Sequence, residues 1–127
     1  MRILLHGPED LTVTDFGDPE FQVVPEAEGV HFSAMEMFAT SIVLCTYSVL
    51  VSYAEQAATD TTGLAVRMGW AYHEDPYRIG DIQMDISWPG IPESRLQAAE
   101  RAAEQCTLHH TLQTPPNFET RVHQGPV

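Results

Sequence analysis

Cys45 and Cys106 are the only cysteines in the 127-residue chain. Two thiols that can approach each other support one kind of chemistry. A thiolate attacks an electrophilic oxygen or sulfur, becomes a sulfenic acid, and is resolved as a disulfide by the second thiol. Two cysteines are too few for a disulfide scaffold or for a four-ligand structural zinc site. The alternative is that both are small buried hydrophobes, a common fate of cysteine. His109 and His110 follow Cys106, so Cys45, Cys106 and His109 make a conceivable ligand set. No second close ligand pair accompanies them, so neither a metal nor any other cofactor is expected. Glu74, Asp75, Asp81 and Asp85 read as a solvated strand face.

Cations are scarce around this chemistry. The chain carries 18 acidic and 6 basic residues, a net charge of −12, and every basic residue is arginine. The excess of acid argues against nucleic acid and against an anionic membrane surface, both of which are recognised by Lys and Arg. With 43% hydrophobic and 19% charged residues, the composition is that of an ordinary globular protein, and the length predicts one domain over residues 1–127.

The elements that must position the thiols follow from periodicity and punctuation. Residues 2–6, 11–16 and 21–24 are short β-like runs separated by Gly, Pro and Asp. Ser33 precedes Glu36 by three residues, which has the form of a capping box, and a helix over residues 34–57 follows. In residues 64–73, Leu64, Val66, Met68, Trp70 and Tyr72 alternate with more polar neighbours. Ile82, Met84, Ile86 and Trp88 do the same in a second strand, which predicts a half-buried antiparallel pair. Trp70 and Trp88 are most simply core, though such aromatics could also wall an apolar channel. A second helix, opening near Pro92, places Leu96, Ala99, Ala103 and Cys106 on its inward stripe and ends near Cys106. Residues 117–122 are expected to form a last strand. The class is α+β, in the order β-β-β-α-β-β-α-β.

Residues 37–54 hold no charge over 18 positions, about the length at which a membrane span begins to qualify. The run is rich in hydroxyls and is bracketed by Glu36 and Glu55, so the preferred reading is a buried core helix. The N-terminal residues lack the pattern of a signal peptide. The expected location is cytoplasmic.

Three stretches carry a family resemblance: SAMEMFATSIVLCTYSVLVSYAEQ, the strand pair through DPYRIGDIQMDISWPGIP, and AERAAEQCTLHHTL. Together they resemble the OsmC/Ohr superfamily over roughly residues 33–122. The resemblance implies a long central helix bearing a cysteine, an intertwined homodimer, and active sites at the subunit interface. It also implies a thiol peroxidase for organic hydroperoxides, with Cys45 as peroxidatic cysteine, Cys106 as resolving cysteine, and Glu36 as the acidic residue that orients a catalytic arginine. An external dithiol would reduce the Cys45–Cys106 disulfide. No cofactor is implied.

The chain departs from that pattern at three points. No arginine lies between residues 3 and 66, where the family supplies one. Candidate replacements are Arg2, His6 and His31, or Arg67 or Arg78 of a partner subunit. Glu36 stands nine residues before Cys45, about 900° along a straight helix, which puts the two on opposite faces. That spacing resembles an OsmC-like branch with S-P-M-E-M at this point. Thr107 also stands where the family usually has proline. A cysteine buried mid-helix without a cation is expected to be a neutral thiol. The rival expectation is therefore a non-catalytic dimer that binds an apolar small molecule in its interface cavity.

Overall fold

The computed structural model describes residues 1–127. Strands β1 (Arg2–Gly7) and β2 (Asp10–Thr14) form an antiparallel hairpin, and β3 (Gln22–Pro25) returns parallel to β1. Next come helix α1 (Ala34–Gln56), strands β4 (Ala65–His73) and β5 (Arg78–Ser87), a 3-10 turn at Glu93–Arg95, and helices α2 (Leu96–Ala103) and α3 (Thr107–Gln113). One five-stranded sheet runs in the order β3-β1-β2-β4-β5.

Period-two patterning decides which face of the sheet is covered. Ile3 and Leu5, Leu11 and Val13, and Val66, Met68 and Trp70 are all buried on one side. Residues Arg2, Thr12, Arg67, Asp81 and Asp85 lie on the other. Trp70 and Trp88 are core residues, 6% and 7% exposed, and the Trp88 indole N–H donates to the Asp60 carbonyl at 2.7 Å. In the β4–β5 ladder Ala71 faces Asp81, but Tyr72 faces Ile79, leaving Gly80 as the extra residue of a bulge. A Cβ at Gly80 would fall 2.1 Å from the His73 ring, so only glycine fits there.

Helix α1 is the core helix. Ala39, Val43, Leu50 and Ala54, with Ile42 and Thr46, form its covered side and pack against β2, β4, α2 and α3. Its start is the expected capping box: the Glu36 carboxylate accepts from the Ser33 N–H at 2.9 Å and from the Ser33 hydroxyl at 2.5 Å. Its end is a Schellman turn, with Thr59 N–H bonding Ala54 O at 2.9 Å and Ala58 at φ +49°.

Two expectations fail at the C-terminal end. The second helix does not run to Cys106. It stops at Ala103, Cys106 becomes the N-cap of the separate helix α3 with φ −60° and ψ 133°, and Leu96 is 52% exposed instead of inward-facing. The final strand is absent: no helix or strand follows α3. Pro115 and Pro116 have no N–H to give a ladder, and residues 117–122 pair with no strand of the sheet. Phe118 and Val122 are left 92% and 93% exposed.

Candidate active site

Cys45 sits mid-way along α1 and is half-buried; Cys106 sits in the corner between α2 and α3 and is fully buried. Both are free thiols. The packing of α2 and α3 against α1 brings the two side chains close to each other. The same corner aims backbone N–H groups at them. The Thr107 and Leu108 amides lie near Cys45, the Leu108 and His109 amides near Cys106, and the buried Thr46 hydroxyl is also near Cys106.

These contacts separate the two thiols electrically. Burial pushes the Cys45 thiol up, but the Cys106 thiol and the Leu108 and Thr107 amides together outweigh it and hold Cys45 below the ordinary thiol range. Cys106 goes the other way, raised first by its burial and then by the neighbouring Cys45. Of the two, Cys45, the more accessible sulfur, is the one whose ionisation is eased. Such a division suits an attacking thiolate beside a protonated second thiol. The expectation that burial leaves Cys45 with a raised pKa is not met in direction, since neighbouring groups that include no cation hold it below the ordinary value.

Glu36 is 5% exposed and tied to Ser33; its charged form is favoured by those bonds and by nearby His31 against the cost of burial. No arginine is among its partners. Four of the five candidate replacement cations are engaged elsewhere, His31 being the one near Glu36. Arg2 meets Gln22 and Asp15, Arg67 grips Asp10, Arg78 bonds the Glu74 and Pro76 carbonyls, and His6 lies between Glu26 and Thr12. No group of three His, Cys, Asp or Glu side chains is placed to hold a metal. A cleft of 380 Å³ between α1, β5 and α2–α3 flanks the thiol corner, lined by Ile42, Ile82, Met84, Ile86, Ala103 and Leu112.

The model of the family described as OsmC-like protein matches residues 27–121, which span α1, both cysteines and the strand pair between them. The chain belongs to the OsmC-like family. None of the curated proteins matches it. Among solved structures, it is similar to an osmotic stress induced and detoxification response protein from Psychrobacter arcticus 273-4. That match has 16% identity and a TM-score of 0.59, covering 86% of this chain and 84% of the other. It is also similar to an OsmC-like hydroperoxide resistance protein from Jannaschia sp. CCS1, with 22% identity and a TM-score of 0.57, covering 80% and 73%. At these identities the likeness speaks for the fold.

In this OsmC-like chain both cysteines named from sequence come together, while Glu36 stands apart as a helix cap. The residues missed from sequence are those acting through backbone. Thr107, Leu108 and His109 offer amides, which no side-chain pattern announces. Leu108 and Leu112, four apart after Cys106, were the one available sign of a further helical turn.

Proposed function

We propose that this OsmC-like protein is a thiol-dependent redox protein that reduces organic hydroperoxides through Cys45 and Cys106. The observation that supports the reading is the juxtaposition of a half-buried thiol with a fully buried one, the first shifted toward ionisation and the second away from it. The Cys45 thiolate attacks the terminal oxygen of R–OOH. An S–O bond forms, the O–O bond breaks, and the departing alkoxide takes a proton to leave as R–OH. The Cys45 sulfenic acid is then attacked by Cys106, forming the disulfide and releasing water. An external dithiol returns both thiols, as a reducing, cytoplasmic setting would allow.

The reading also takes the active form to be a homodimer. Met37, Ser41, Leu44, Ser48 and Ser52 form an exposed stripe on α1, and only 39% of its most apolar window is buried. The Ser41, Ser48 and Ser52 hydroxyls turn back onto carbonyls of their own helix. A second copy packed here would cover the stripe beside Cys45.

Consumption of cumene hydroperoxide in the presence of dithiothreitol tests the activity. Wild type is expected to turn over, and Cys45→Ser to fall to the uncatalysed rate. Equal consumption by both would sink the reading. The cleft near the thiol corner, with six hydrophobic residues beside Glu100, Glu104, His109 and Gln113, supports one alternative, a carrier of an apolar small molecule. That reading expects slow iodoacetamide labelling of Cys45 at neutral pH and a ligand recovered by organic extraction of the purified protein.

A further inference from the structure

Strand β1 carries one residue more than its partner opposes. Leu5 pairs with Leu11 and Gly7 with Asp10, so His6 is the extra residue of a bulge. On the open face of the sheet its imidazole reaches a neighbour on each side. Nε2 meets the Thr12 hydroxyl on β2 at 2.7 Å, and Nδ1 meets the Glu26 carboxylate just past β3. Glu26 is held there by its own N–H, which donates to the Leu5 carbonyl at 2.9 Å. An ionised carboxylate only accepts, so Nδ1 carries the proton, and in the neutral ring Nε2 is left to accept from Thr12. A hydroxyl, an imidazole and a carboxylate bonded in that order are the parts of an activated nucleophile. Arg67 stands opposite Thr12 in the β2–β4 ladder; its Nε and Nη2 hold Asp10, and its Nη1 makes no bond. A cleft of 630 Å³ adjoins them, bordered by Gly7, Asp10, Arg67, Gly69 and Gln83. Helix α1, which bears Cys45, covers the opposite face of the sheet.

We propose that Thr12, His6 and Glu26 form a second reactive site, an acyl-transfer centre for small carboxylic esters, separate from the cysteine pair. Thr12 Oγ1 bonds to the ester carbonyl carbon while its proton passes to His6 Nε2. The carbonyl oxygen takes up negative charge beside Arg67. The C–O bond to the leaving alcohol breaks, and His6 returns the proton to that alcohol. Water, deprotonated by His6, then releases the carboxylic acid and restores the Thr12 hydroxyl. Glu26 is the positioning residue, fixing the ring and its tautomer. The polar border of the cleft suits a short acyl chain.

The probe is p-nitrophenyl acetate, followed by p-nitrophenol release and by peptide mass spectrometry after an acid quench. The protein carries Cys45→Ser, so that the accessible thiol adds nothing to the release. The chain has no lysine, and the competing amine is that of Met1. Acetyl is expected on Thr12. His6→Gln and Thr12→Val are each expected to slow release by about a hundred-fold, the size of a general-base contribution. Thr12→Ser keeps a hydroxyl and should retain most of the rate. Unchanged release in Thr12→Val overturns the proposal, as does a Thr12→Ser rate as low as that of Thr12→Val. The protein with Thr12 intact guards against misfolding of the variants: acetyl found only on His6 or Met1, or on no residue, also overturns it. None of these outcomes depends on peroxide consumption, so this site and the thiol peroxidase stand or fall separately.

Discussion

At the scale of single residues, what distinguishes the two thiols is the set of neighbours each one has. Cys45 is half-buried; Cys106 is sealed and carries the larger burden of burial. Glu36 makes a useful contrast, because its charge serves the fold at a helix start. Its carboxyl is held below its ordinary value. The stability it contributes is therefore present above that value and is lost as pH falls through the lowered one. Glu36→Gln keeps the shape of the capping box while removing the charge. It should cost about 1 kcal/mol at pH 7, a cost that shrinks in urea denaturation as pH falls through that lowered value. Cys45 labelling by iodoacetamide should be unchanged, since Glu36 does not touch it. Cys45, Cys106 and Glu36 were all legible in the sequence as residue types. The amides of Thr107 and Leu108 were not, because every residue but proline has an N–H and only the fold aims it.

At the scale of elements, α1 and the β4–β5 pair could be read directly, since the capping box and the alternation of Val66, Met68 and Trp70 are local signals. The break at Glu104–Cys106 and the missing last strand could not. Helix α3 is only 7 residues long, too short to announce itself by periodicity, and a strand at residues 117–122 would need an edge that local patterning cannot supply. The C-terminus of α1 carries a correctable strain. Ala58 holds the left-handed position of the Schellman turn at φ +49°, where glycine has no Cβ penalty. Ala58→Gly is expected to stabilise the protein by about 1 kcal/mol, raising Tm by about 4 °C. A calorimetric scan checks this. An unchanged or lowered Tm would mean that the turn is not under the tension its φ implies.

At the scale of the whole molecule, one sheet face is covered by α1, while α1 itself keeps a stripe through Met37 and Leu44 open to solvent, 54% and 37% exposed. In a chain of net charge −12, that uncharged stripe is where self-association meets least repulsion. Sedimentation is expected to find a dimer for wild type and a monomer for Leu44→Asp, and a monomeric wild type would remove the dimer from the account. The scarcity of cations, which the sequence alone turns into an argument against a reactive thiol, is only part of the electrostatics once α1, α2 and α3 are packed together. The corner between α2 and α3 brings amides to the sulfurs in place of an arginine. The central claim is that Cys45 and Cys106 act as one redox pair. It is tested most directly by adding a single equivalent of cumene hydroperoxide to the reduced protein and mapping its cysteines by mass spectrometry. The account predicts one equivalent of cumyl alcohol and a Cys45–Cys106 disulfide within each chain. Recovery of both thiols unmodified, or of oxidised Cys45 beside a free Cys106, would contradict it.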